Sequence, residues 1–212
     1  MIVARPREGR LISWPVARIA CALLGCPGTV LAHSVFQGVG NFYGGFLHPA
    51  GVPAHLLALL AVGLFVGQRG WEFTVHALRL FILSCLGGLA LAWTGIELSA
   101  ILPLLTGAAV LGMLVAAGLR VPPKAGLALA VWVGFFIALD SAPDGLEGAA
   151  RLAALGGTAL GASAAFIWVS APVSALSRPW QHIAIRAAGS WVGASALLVL
   201  ALAATGRPLT TF

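Results

Sequence analysis

At 212 residues, 60% of them hydrophobic and 8% charged, with a mean hydropathy of +1.00, the chain carries far less charge than the about 25% of a soluble domain. Its net charge of +6 comes from basic residues spaced singly between apolar runs, without the basic patch and interleaved aromatics of a nucleic-acid binder. A soluble domain and a nucleic-acid partner are thereby excluded, and the pattern is that of an all-α, polytopic membrane helix bundle with 1–212 as a single integral membrane domain.

Residues 1–32 open with Arg5, Arg7 and Arg10, continue into an apolar run and end in Val30-Leu31-Ala32 before His33. That is the order of a secretory signal with a cleavage point after Ala32; retained, it is a signal-anchor first helix at about 14–32, with 33–212 as the remaining bundle. A broken second span covers 42–67 and a third 73–93. A fourth at 96–119 is separated from a short fifth at 125–139 by Arg120-Val121-Pro122-Pro123-Lys124. The most polar stretch, 140–147, precedes a sixth at 149–173 and a seventh at 183–204. The expected total is about seven transmembrane helices, or six if the first is removed.

Cytoplasmic loops collect Lys and Arg. With the amino terminus cytoplasmic, Arg69, Arg120, Lys124 and Arg178 all fall on that side, while Arg151, Arg207, Glu97, Asp140, Asp144 and Glu147 fall opposite, along with the carboxyl terminus. Cys21, Cys26 and Cys85 lack CxxC spacing and read as small buried hydrophobes. Gly157 with Gly161, Gly107 with Gly112 and the Gly87-Gly88 pair are expected to let helices pack closely within the molecule.

The second span carries the chemistry. His48 and His55 are seven residues apart, so an unbroken helix would place both imidazoles on one face. Pro49, Gly51 and Pro53 argue that the helix breaks between His48 and Pro53. Irregular backbone at membrane depth is tolerated where protein buries it or where it lines a watery cavity. Two readings of the histidines stand together: they bond carbonyls freed by the prolines, or they bind or conduct an ion. Asp140, Asp144 and Glu147 likewise read either as a solvated loop turning at Pro143-Asp144-Gly145 or as the mouth of an ion path. Glu72, His76 and Arg79 share one face of the third span, as an interfacial ion pair with a snorkelling arginine or as a cytoplasmic gate. No P-loop, nucleophile elbow, haem attachment or dinucleotide motif points to an enzyme.

At His48-Pro49-Ala50-Gly51-Val52-Pro53-Ala54-His55 the sequence resembles the HupE/UreJ family of small membrane proteins tied to hydrogenase and urease gene clusters and regarded as nickel, sometimes cobalt, permeases. The family pattern His-Pro-x-x-Gly-x-Asp-His is kept at His48, Pro49 and His55, with Gly51 one place before the pattern's glycine and Ala54 in place of the aspartate. A second family motif, similar to Phe-His-Gly-x-Ala-His-Gly-x-Glu, aligns with residues 139–147, where Gly145 and Glu147 match and Asp140 and Asp144 stand at the histidine positions. The signal-like start ending at His33 and the order of spans extend the likeness over most of the chain.

The resemblance implies a secondary transporter for a divalent cation, Ni2+ or Co2+, in the inner (cytoplasmic) membrane of a bacterium. Its metal ligands would come from His48, His55, Asp140, Asp144, Glu147 and His33; a cytoplasmic gate at Glu72, His76 and Arg79 is an expectation from topology alone. Imidazole suits nickel and cobalt while carboxylates suit harder ions, so the donor set is mixed. The ion is cargo, and no tightly bound cofactor is expected; the partners are the lipid bilayer and the metal ion. The alternative is an accessory or structural subunit of a larger membrane complex that reuses the fold without transporting, in which case other membrane subunits are its partners.

Overall fold

A computed structural model describes residues 40–95, 99–143 and 145–204. The expected first span at 14–32, with His33, Glu97, Asp144 and Arg207, lies outside the described residues. Among the described residues all regular structure is helical: α1 Asn41–Gly51, α2 Pro53–Gly67, α3 Trp71–Trp93, α4 Ile101–Ala117, α5 Pro123–Leu139, α6 Gly148–Ser174 and α7 Pro179–Ala204. Proline supplies several starts: Pro53, Pro123 and Pro179 stand at first helical positions, where a missing N–H costs nothing. Gly118, at φ 66°, closes α4 in the left-handed conformation that glycine adopts without strain.

Three helices, α3, α6 and α7, are long and apolar enough to cross a membrane. The α1–α2 pair passes the same test only when taken together, and its two halves are bent by 69°. The described residues thus hold three such spans, or up to four with the bent pair as one. Helices α4 and α5, of 17 residues each, are about 26 Å long against about 30 Å of hydrocarbon, at the short edge of a spanning length.

Helix α2 lies at the centre. It is apolar around its whole circumference, so no face of it favours solvent, and it touches every other described helix. Ala58, Leu59, Val62, Phe65 and Val66 on it are buried. Around it α1 packs chiefly on α6, α3 on α5 and α4 on α7. Small residues set these approaches, since dispersion at close range, rather than hydrophobic drive, holds helices together in lipid. A Cβ at Gly157 would collide with the Phe42 carbonyl and one at Gly161 with the Phe46 carbonyl, so both glycines are used within the molecule, by α1. Gly112 meets Gly189 and Gly193 of α7 in the same way.

This packing fixes two ends. The carboxyl end of α2, the amino end of α3, the α4–α5 loop and the amino end of α7 share one, which carries Arg69, Arg120, Lys124 and Arg178. The α1–α2 break, the amino end of α4 and the carboxyl end of α5 share the other.

Candidate functional site

The carbonyl that Pro49 frees is satisfied without the histidines. Pro49 has no N–H, which leaves the Gly45 carbonyl without its helical donor; the Thr158 hydroxyl of α6 donates to that carbonyl at 3.3 Å. Val52 is extended (φ −92°, ψ 117°), its N–H donating to the His48 carbonyl at 3.1 Å while its own carbonyl accepts from Leu56 N–H at 2.9 Å. At the Gly45 carbonyl, Thr158 therefore does what one reading of the sequence gave to the imidazoles.

His48, near the end of α1, and His55, in the first turn of α2, meet across the bend with ring centroids 5.3 Å apart, edge to face. His55 is fully buried. Its Nε2 lies 3.0 Å from Oδ2 of Asp140, at the carboxyl end of α5. The second oxygen, Oδ1, accepts the backbone N–H of Ala100 at 2.9 Å, just before α4. One carboxylate thus ties three helices together. Its side chain is 16% exposed, which sets aside the solvated-turn reading for Asp140.

An ionised carboxylate can only accept, so a neutral His55 facing it carries its proton on Nε2, which leaves the Nδ1 lone pair open. That Nδ1 and the Nε2 of His48 are both buried without a hydrogen-bond partner. An orphaned buried donor or acceptor costs about 1–3 kcal/mol, so two neighbouring ones are a concentrated expense, which a cation bound to their lone pairs would offset. A carboxylate behind an imidazole also fixes the ring orientation and raises ligand basicity, as it does behind metal-bound histidines generally. Asp140, expected as a direct ligand, has both oxygens engaged by protein donors and acts on the His55 ring.

Among the described residues no group of three or more His, Cys, Asp or Glu side chains is disposed to hold a metal ion jointly. The cluster supplies two open imidazole nitrogens and a carboxylate that orients one of them. Glu147 is exposed, its carbonyl accepting the Arg151 N–H at the start of α6, and no contact joins its side chain to the histidines. Asp144 and His33 lie outside the described residues. Glu72, His76 and Arg79 share an exposed face of α3, whose amino end is at the other end of the bundle. The expected ion pair there does not form: His76 Nδ1 donates to the Glu72 backbone carbonyl at 2.8 Å. The helical geometry that puts three side chains on one face also lets the imidazole reach the nearer carbonyl, one turn back.

Two contributors escaped the sequence. The Ala100 N–H is a backbone donor that no residue type advertises, and Thr158 is a lone hydroxyl in a run of small residues.

The exposed faces of the long helices carry Leu83, Leu86, Leu160, Ile167, Ile183 and Leu198, side chains suited to lipid contact. The molecule is an integral membrane protein of apolar helices, with an imidazole–carboxylate cluster beside a helix break. The HupE / UreJ protein family matches residues 21–200, and the chain belongs to that family. The family's general role is nickel- and cobalt-related transport or accessory work rather than catalysis. No curated protein and no solved structure matches the chain.

Proposed function

We propose that the protein moves a divalent transition-metal cation, Ni2+ or Co2+, inward across a bacterial inner membrane. It does so as a seven-span bundle with the amino terminus cytoplasmic and the carboxyl terminus outside. The observation that carries this reading is the pair of buried, unpartnered imidazole nitrogens on His48 and His55, with Asp140 behind one of them. Neutral imidazole is a ligand suited to both ions. Two fixed ligands leave the remaining coordination to water or to passing side chains, and conduction requires binding weak enough for release. Asp144 and Glu147, on the same loop as Asp140, would raise the local cation concentration at the outer mouth, as would His33 by coordination. Glu72, His76 and Arg79 would serve the inner mouth only if their exposed face comes to line the path. The chain shows no nucleotide-binding motif, so the drive would be the ion gradient, the membrane potential or a partner.

The test is Ni2+ and Co2+ uptake into vesicles reconstituted with wild-type protein or with the His48→Ala/His55→Ala variant. Saturable uptake lost in the variant is expected. Equal uptake by both would refute the assignment. One observation favours a second reading, that of a non-transporting subunit of a larger complex: Ala54 stands, buried, where the family motif has a carboxylate. Wild-type complex assembly and unchanged cellular metal in the same variant would support it.

A further inference from the structure

The basic end of the bundle holds a half-open cavity of about 680 Å³ between the α2–α3 turn, the α4–α5 loop and the first turns of α7. Its lining includes Arg69, Arg120, His182 and Arg186, with Gln68 as a neutral donor and acceptor, and contains no acidic residue. Two of the arginines are held in place by one nitrogen each. Arg69 donates NH1 to the Phe65 carbonyl at 2.9 Å, with its guanidinium 3.6 Å from the centroid of the Phe65 ring. Arg186 donates Nε to the Ala116 carbonyl at 2.8 Å. The remaining N–H groups of both forks have no protein acceptor among the described residues, and neither Arg120 nor His182 has a hydrogen-bond or ion-pair partner there. Glu72, the acidic residue on a described helix at this end, is exposed and outside the lining. Burial also depresses the Arg69 pKa from its ordinary value, a sign that this charge sits partly desolvated with nothing to neutralise it.

We propose that this cavity binds a phosphate-bearing anion, with Arg69, Arg120 and Arg186 converging on the phosphate oxygens. Fixed arginine forks match a tetrahedral oxyanion better than a single planar carboxylate would fill them. Phe73, Leu119 and Val121 complete the wall and give the cavity an apolar side suited to the glycerol and upper acyl chain of a phospholipid. Basic pockets between membrane helices at a cytoplasmic interface commonly take lipid head groups. A free phosphate shares the same chemistry, and the experiment separates the two sources.

The purified full-length protein, in a neutral detergent, is titrated calorimetrically with dihexanoyl phosphatidylglycerol and with dihexanoylglycerol, which has the same chains and no phosphate. Saturable binding of the phospholipid alone is expected. At about fivefold per basic residue near an anionic surface, Arg120→Gln weakens binding about fivefold and Arg120→Gln/Arg186→Gln about thirtyfold. Arg120 is exposed and holds no described contact, so its variant keeps the proposal testable if loss of the Arg186–Ala116 bond impairs folding. Competition by equimolar inorganic phosphate assigns the site to a soluble anion; failure to compete assigns it to the lipid head group. Equal binding of dihexanoylglycerol, or unchanged phospholipid affinity in Arg120→Gln, overturns the proposal.

Discussion

Replacing Asp140 by Asn separates the structural and chemical roles of that carboxylate. Asp140 accepts two hydrogen bonds, from His55 Nε2 at 3.0 Å and from Ala100 N–H at 2.9 Å. In the variant the amide oxygen is still needed by Ala100, whose backbone can only donate, so the NH2 group is turned toward His55. An NH2 donates, and Nε2 must then accept, which drives the ring proton to Nδ1 and removes the lone pair left open in the wild type. The fold keeps both contacts as neutral hydrogen bonds. Interhelical bonds in membranes contribute about 0.6 and at most about 1.7 kcal/mol each, so Asp140→Asn is expected to cost under about 1 kcal/mol and Asp140→Ala, which loses both, about 1–3 kcal/mol. Metal affinity responds differently: loss of a partner behind a ligating imidazole costs about 10–100-fold. Competition titration with a Ni2+-sensitive dye, beside thermal unfolding in the same detergent, reads both quantities. Wild-type metal affinity in a stably folded Asp140→Asn protein would refute the argument that Asp140 sets the His55 tautomer.

Three further outcomes follow from the packing. Gly161→Leu should leave α1 unable to seat on α6, because the new side chain meets the Phe46 carbonyl; thermal unfolding should fall by at least the equivalent of the about 1–3 kcal/mol typical of overpacking, and an unchanged midpoint would contradict the described α1–α6 contact. Glu72→Ala/His76→Ala should retain at least half of wild-type Ni2+ uptake, since both side chains face outward and away from the cluster; near-complete loss would restore them as a gate. Thr158→Val removes the donor to the Gly45 carbonyl and should lower stability by about 1 kcal/mol, with Ni2+ affinity changed less than by Asp140→Asn. An affinity loss as large as that of Asp140→Asn would give Thr158 a part in the cluster itself.

Much of the helical order was legible because membrane-length apolar runs and their Pro and Gly boundaries are local signals. Pro49, Gly51 and Pro53 marked a place where the helix could not continue, and the bend falls at Val52 between them. The seven-residue spacing would set His48 and His55 on one face of a straight helix but two turns, about 10 Å, apart; the bend brings their rings to 5.3 Å. Local signals do not carry tertiary choices. Whether the histidines bond freed carbonyls depends on a hydroxyl over a hundred residues away in sequence, and the role of Asp140 depends on the Ala100 backbone from yet another helix. The acidic loop looked uniform in sequence, yet Asp140 turns inward to two donors while Glu147 is exposed, a division made by where α5 ends and α6 begins. Arg69, Arg120 and Arg186 read as separate topology signals because their convergence exists only once α2, α4 and α7 are packed.

The most direct test of the account is equilibrium dialysis of the purified protein against Ni2+, Co2+, Zn2+, Cu2+ and Mn2+, with element-resolved detection, for wild type and His48→Ala/His55→Ala. The account predicts saturable binding of Ni2+ or Co2+ approaching one ion per chain and abolished in the variant. Binding that persists in the variant, or that is absent from the wild type at millimolar metal, would contradict an imidazole cation site at the helix break.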